Sequence, residues 1–158
     1  MSIKNVGPSK NSGFNQGYFK PNRPEKYVGP QPIIYRSSWE RKFMIWCDNN
    51  DQVIMWSSEP VEVPYWSKLH KKKRKYYPDF YIKIQKHDGE IDHILVEIKP
   101  EAQIKKPKPP KTRSKKAINS YKFLAEQYVI NRDKYTAAKL FAEQRGWRFV
   151  VMTENSLK

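Results

Sequence analysis

Two stretches, Tyr77-Pro78-Asp79-Phe80-Tyr81-Ile82-Lys83-Ile84-Gln85 and Ile94-Leu95-Val96-Glu97-Ile98-Lys99, decide how this sequence is read. In the first, Phe80, Ile82 and Ile84 alternate with Asp79, Tyr81, Lys83 and Gln85, the two-residue period of a strand. Asp88-Gly89 supplies a hairpin turn. In the second, Ile94, Val96 and Ile98 take one face, and Leu95, Glu97 and Lys99 the other. Paired as a hairpin, the strands bring Asp79, Glu97 and Lys99 to one side of the sheet.

Two carboxylates and a lysine at one place suit phosphodiester hydrolysis. Carboxylates hold the hard, oxygen-loving Mg²⁺. The metal polarises the scissile phosphate and acidifies its bound water. A lysine orients that water and offsets charge building on the phosphorus. Each motif alone is weak. Glu-x-Lys recurs by chance in a lysine-rich chain, as at Glu40-Arg41-Lys42, and Glu97 with Lys99 also reads as a solvated ion pair. Pro78-Asp79 also reads as a kink where a strand starts. Their joint facing in one hairpin is what points to a site.

Outward from the hairpin, the pattern is that of an α+β domain. Trp39, Phe43, Trp46 and Cys47 form a helical stripe beginning near Ser37 or Ser38 and ending at Asp48-Asn49-Asn50-Asp51. Val53–Trp56 suits a short strand, and Val61–Trp66 another, placed at an edge by Pro64. The basic run Leu69–Lys75 is expected as a strand-to-strand turn. Pro100 to Arg113 is a Lys/Pro-rich loop whose prolines exclude a helix interior. Helical pattern resumes near Ser114, with one stripe through Ile118, Tyr121, Leu124, Ala125 and Tyr128 and a second through Tyr135, Ala138, Phe141 and Ala142. The pattern admits a split into two helices near Asn131-Arg132-Asp133. Gly146 stops the helix, and Trp147–Met152 reads as a last strand, parallel to the earlier sheet after a helical crossover. Residues 1–32, rich in Gly, Pro, Asn, Ser and Lys, are expected as a basic, largely irregular arm ahead of one domain at 33–158, with the scattered rings Phe14, Tyr18, Phe19 and Tyr27 able to dock onto the domain or stack on a partner.

Composition narrows the partners. Lysine and arginine number 31 against 16 acids, a formal charge of +15. A field of that sign favours a polyanion, nucleic acid first. No apolar run approaches the ~18 residues of a membrane span, and no apolar signal segment is expected at the start. The single cysteine, Cys47, excludes an intrachain disulfide, fits a reducing compartment and is read as packing. His70, His87 and His93 have no cysteine pair beside them for zinc and no partner that would make a general base. Phosphate contacts are expected from Lys71, Lys72, Lys73 and Arg74 in one loop, and from Lys105, Lys106, Lys108, Arg113 and Lys115 in the other. Such contacts position DNA without reading its sequence. The Trp and Tyr rings are read as core more often than as stacking platforms.

Pro-Asp followed by Glu-x-Lys, preceded by a helix carrying Glu40 and followed by helix and strand, resembles the PD-(D/E)XK nuclease superfamily. Arg36-Ser37-Ser38-Trp39-Glu40 together with the Tyr-Pro-Asp-Phe and Glu-Ile-Lys-Pro strands is similar to the TnsA-like nucleases, and within them to the head-completion nucleases of large tailed phages. The likeness covers roughly residues 33–153. It implies a core of helix, three strands, helix or helices and strand, with a mixed central sheet flanked by helices. It implies a Mg²⁺-dependent DNA endonuclease, Mn²⁺ substituting, that trims packaged DNA before tail joining. By the same resemblance Asp79, Glu97 and the Ile98 main-chain carbonyl hold the metal, and Lys99 is the catalytic lysine. Glu40 reaches the metal or its waters. From the residues alone Glu40 reads as a capping box with Ser37, its carboxylate turned back to the Ser37 amide, and Arg36 either touches phosphate or flanks that cap. Glu59 and Glu62 are lesser candidates, Glu62 facing solvent on an edge strand. The resemblance also implies capsid vertex, portal or neck proteins as partners, and the virion and host cytoplasm as location. A non-catalytic structural DNA-binding head or neck protein on the same fold is the rival reading. A basic RNA-binding protein of the ribosomal kind is a weaker one.

Overall fold

The computed structural model describes residues 16–157. In chain order its elements are β1 (Gly17–Phe19), β2 (Ile33–Tyr35), α1 (Ser38–Asn49), β3 (Val53–Ser58), β4 (Val63–Ser67), β5 (Lys72–Tyr76), β6 (Phe80–Gln85), β7 (Ile91–Ile98), α2 (Glu101–Ile104), α3 (Lys115–Glu143) and β8 (Arg148–Met152). The central sheet has the order β3-β6-β7-β8. β6 runs antiparallel to both β3 and β7, and β8 joins β7 in parallel after the α3 crossover. Helix, three strands, helix and strand is the expected core, with the β4–β5 ribbon inserted between its first two strands.

The hairpin register pairs Phe80 with Val96 and Ile82 with Ile94. The two-residue period then fixes both faces of the sheet. Phe80, Ile82, Ile94 and Val96 turn to one side with Val53 and Trp56, where Phe43, Met44 and Cys47 of α1 close a dry core. On the other side Tyr81 and Leu95 pack on Ala142 of α3, and Val63, Tyr65 and Tyr76 of the ribbon surround Ala138. α1 begins where expected: Ser37 is its N-cap, its hydroxyl accepting the Glu40 N–H at 3.1 Å. Cys47 is fully buried in packing.

Three expectations are corrected, and one open alternative is closed. Within the expected arm, residues 16–32 are built into the domain; the remainder, with Phe14, lies outside the described residues. β1 pairs with β2, and Tyr27 packs edge-on against Trp56 at 4.7 Å. The Lys26 ammonium is buried at the C-terminal end of α1, donating to the carbonyls of Cys47 at 2.6 Å, Asn50 at 2.7 Å and Asp48 at 3.3 Å. The last turn of a helix leaves such carbonyls open and favours a cation there. Asp48 in turn accepts the backbone N–H groups of Asn22 and Arg23. A polar segment is thus held by polar groups, which an apolar-area argument does not count.

Secondly, the basic run is half strand. The turn is confined to residues 68–71, while Lys72, Lys73 and Arg74 lie in β5, paired with Ser67, Trp66 and Tyr65. Only Tyr76 of β5 is buried, so no apolar period marks the strand. Thirdly, α3 is one helix through Asn131-Arg132-Asp133. Asn131 is buried, and Asp133 accepts the Lys68 N–H at 2.9 Å, so the polar triplet anchors the ribbon turn instead of breaking the helix. Fourthly, the Lys/Pro loop contains one helical turn, α2, directly after Pro100 at its N-cap. Proline is tolerated at a helix start because the first N–H groups have no partner to lose. Gly146 has φ of +71° and turns the chain from α3 into β8.

Candidate active site

The facing of β7 that drives Ile94 and Val96 into the α1 core sends Glu97 to the opposite side. Asp79 precedes β6, one step beyond the Phe80–Val96 pair, and so comes beside Glu97. An Asp79 Oδ2 accepts the Ile98 N–H at 2.8 Å, and the Asp79 carbonyl accepts the Glu59 N–H at 2.8 Å. Glu97 is only 6% exposed. Its Oε2 accepts the Tyr76 hydroxyl, and its Oε1 lies 3.9 Å from Lys99 Nζ. Glu40 reaches the same place from the first turn of α1. Its Oε2 accepts the Arg36 N–H at 2.9 Å, one residue earlier than the amide expected for the cap. Capping and site are therefore both roles of Glu40: it tidies the helix start and also walls the cleft.

That cleft, of about 240 Å³, is bounded by Glu40, Glu59, Asp79 and Glu97, with Arg36, Lys75 and Lys134 as its cations and Tyr76, Tyr77 and Ser58 completing the wall. Burial pushes the carboxyl of Asp79 well above the usual range, and the negative charges of Glu97 and Glu40 push it further. Burial likewise raises Glu97, against the pull of the Tyr76 hydroxyl, Lys99 and Lys134. Glu40 is raised by burial, against the Arg36 amide and charge. The Tyr76 phenol is driven up by burial and by Glu97 beside it, so it stays a donor.

This donor set suits a divalent cation. Asp79 and Glu97 are the residues that would hold it, and their raised affinity for protons is an affinity for positive charge generally. No group of three or more His, Cys, Asp or Glu side chains among the described residues forms a ready-made cage. Mg²⁺ does not require one, since it keeps several waters and takes one or two carboxylates. The Tyr135 hydroxyl, raised by burial and then by the charges of Glu97 and Asp79, is buried without a hydrogen-bond partner among the described residues. A metal-bound water there would satisfy it.

Of the residues singled out in the sequence, Asp79, Glu97, Glu40, Arg36 and the lesser candidate Glu59 line the cleft, and Lys99, outside that lining, lies 3.9 Å from Glu97. Ile98 closes β7 beside Asp79. Arg36 also approaches Glu59 at 3.9 Å. Lys71, Lys72, Lys73 and Arg74 are exposed on the ribbon whose end, Lys75–Tyr77, walls the cleft. Lys105, Lys106, Lys108, Arg113 and Lys115 are exposed around α2 and the start of α3 and do not line it; Lys105 is paired with Glu101 at 3.0 Å. Glu62 lies just before β4, held by Lys75 at 3.2 Å and by the Tyr77 hydroxyl at 3.1 Å. The histidines are elsewhere: His70 on Ser67, His87 on Gln52 and His93 on Tyr81. Sequence reasoning missed Tyr76 and Lys134. Lys134 was within reach, because it lies four residues before the inward Ala138 on α3 and so shares its face. Tyr76 carried no signal, closing a strand of four exposed cations.

Residues 50–154 match the model of the TnsA-like endonuclease N-terminal family, and the chain belongs to that family. Asp79, Glu97 and Lys99 fall inside the matched stretch; Glu40 precedes it. Over 148 residues the chain is 36% identical to the head completion nuclease of Enterobacteria phage T4, covering 90% of this chain and 93% of that protein. The resemblance seen in the Pro-Asp and Glu-Ile-Lys strands is thereby borne out. No solved structure matches the chain.

Proposed function

We propose that this protein is a metal-dependent endodeoxyribonuclease that acts in phage head completion, trimming packaged DNA before tail joining. The observation that carries the reading is the pair Asp79 and Glu97, both with raised carboxyls, at one cleft inside the stretch matched by an endonuclease family. The name of the T4 relative supports the place in head completion. Mg²⁺, with Mn²⁺ substituting, would supply Lewis acidity toward the phosphate and an acidified water. Asp79, Glu97 and the Ile98 carbonyl would hold it, and Glu40 would face its waters. Lys99 offsets charge on the phosphate under attack. The Tyr76 hydroxyl holds Glu97 in place, and Tyr76, Lys99 and Lys134 favour its ionised form against the cost of burial. The exposed cations of the ribbon and of the α2–α3 segment grip the phosphate backbone with little sequence preference. Capsid vertex, portal or neck proteins are the partners this role requires, and the virion and host cytoplasm its location.

Supercoiled plasmid incubated with the purified protein tests this. Nicked and linear forms should accumulate with Mg²⁺ and not with EDTA, and Asp79→Ala and Glu97→Ala should abolish them with the fold intact. Plasmid retarded but uncut with Mg²⁺ would instead identify a structural DNA-binding protein, and unchanged cutting by either variant would remove these residues from the mechanism.

A further inference from the structure

The five tryptophans differ in environment. Trp56 is fully buried between Tyr27 and Phe80. Trp147 packs on Tyr81 at 5.0 Å, Trp46 on Phe43 at 5.7 Å, and Trp39 lies under the Lys42 ammonium at 4.5 Å. Trp66 is the most exposed, at 56% against 41% for Trp46, and stands near the end of β4. Its neighbours Tyr65 and Ser67 turn inward, so the ribbon holds the Trp66 ring outward.

The register says what surrounds it. Trp66 pairs with Lys73, and Pro64 with Lys75, so Pro64, Trp66, Lys73 and Lys75 share the outer face of the ribbon. Lys75 also lines the carboxylate cleft. Trp66 therefore sits about 7 Å up the ribbon from a residue of the cleft wall, two strand residues away. That is about two base steps at 3.4 Å each. A pleated ribbon with Lys72, Lys73, Arg74 and Lys75 exposed is suited to a phosphate backbone. An indole fixed outward beside Lys73 and Lys75 has the geometry of a base-stacking platform, and every base offers it a π-face.

We propose that Trp66 stacks on an unpaired base of the DNA, with Lys73 and Lys75 holding the flanking phosphates. The site then takes DNA that is single-stranded, gapped or frayed within a few nucleotides of the cut, in preference to intact duplex. This deepens the nuclease reading by naming the substrate form, and it rests on the cleft being the place where DNA binds.

Binding is measured by fluorescence anisotropy in EDTA, where no cutting intervenes, with labelled (dT)₂₀ and a labelled blunt 20-bp duplex at one salt concentration. Trp66→Ala should weaken (dT)₂₀ binding about tenfold, within the range of one stacked base, and change duplex binding less than twofold. Trp66→Phe should restore most of the loss, because a ring remains. Lys73→Ala should weaken both ligands together. Tryptophan fluorescence should be quenched by (dT)₂₀ in the wild type and much less in Trp66→Ala. Wild-type strand affinity in Trp66→Ala, or equal losses on strand and duplex, would overturn the proposal. So would a failure of the wild type to bind (dT)₂₀. The two readings fail separately: Trp66-dependent strand binding without Mg²⁺-dependent cutting sinks only the nuclease, and cutting indifferent to Trp66 sinks only the platform.

Discussion

One sheet carries two faces built on opposite rules. Toward α1, Phe43, Trp56, Phe80 and Val96 are at most 1% exposed and pack ring on ring, Phe43 and Phe80 at 4.6 Å. Toward α3, the same β6–β7 hairpin presents Asp79 and Glu97 to a cleft in which burial penalises their charge. The first face stabilises the fold. The second packs Tyr81 and Leu95 on Ala142 but also buries two carboxylates whose charge costs stability, and these are tolerated because the first holds the strands in register. The largest expected effect breaks the stabilising face: Phe43→Ala should cost about 3–5 kcal/mol in urea unfolding. Cutting should fall only in proportion to the folded fraction. A variant that stays stable but inactive would show that the α1 core also shapes the site.

Next in size comes the costly face. Asp79→Asn should lower cutting a hundredfold or more, about 3 kcal/mol of barrier, while raising the melting temperature in EDTA. The opposite sign on stability is what separates it from a core substitution. A lowered melting temperature in EDTA would mean that Asp79, through the Ile98 amide it accepts, serves the fold more than the site.

Tyr76→Phe should fall between. It removes the hydroxyl that Glu97 Oε2 accepts and leaves the ring against Tyr135 in place. Glu97 then ionises less readily, so cutting should drop about tenfold, chiefly in kcat, with a stability change of about 1 kcal/mol. Steady-state rates at several pH values check it: the acid limb of the profile should move to higher pH. An unmoved profile with a lowered rate would leave Tyr76 a packing role only.

The faces were unequally legible in the sequence. Period-two alternation in Phe80–Gln85 and Ile94–Lys99 gave the hairpin, its facing and the convergence of Asp79, Glu97 and Lys99, because apolar burial on one side dictates what stands on the other. Helical spacing gave the α1 stripe, and the helical crossover gave the parallel return of β8. The rest depends on partners distant in the chain. Lys26 reads as a surface lysine until the carbonyls of α1 are placed around it. β5 reads as a loop because a ribbon solvated along most of its length needs no apolar period. Tyr76 reaches Glu97 across 21 residues, and Lys134 approaches from a helix whose polar triplet looked like a break.

The smallest effect sets two aspartates of this sheet against each other. Asp92 on β7 accepts three hydrogen bonds from Arg148 of β8, the shorter two at 2.6 and 3.1 Å, and this pairing holds its carboxyl below the usual range. A depressed carboxyl stabilises the fold above its unfolded value, near 4, and the contribution is lost as pH falls through the folded value. Arg148 is 59% exposed, so the pair is screened and Asp92→Asn should cost only about 0.5 kcal/mol at neutral pH. The difference from wild type should vanish in acid. Asp79 has the contrary sign: its raised carboxyl costs the fold nothing below the unfolded value, and the penalty appears as pH rises toward the folded one. In EDTA, the stability gap between Asp79→Asn and Asp92→Asn should therefore be smallest in acid and widen toward neutral pH, the first variant gaining on wild type as the second loses. Urea unfolding of both variants at pH 4 and pH 7 reads this directly. Parallel behaviour would mean that the environment of the cleft does not distinguish Asp79 from a surface ion-pair carboxylate.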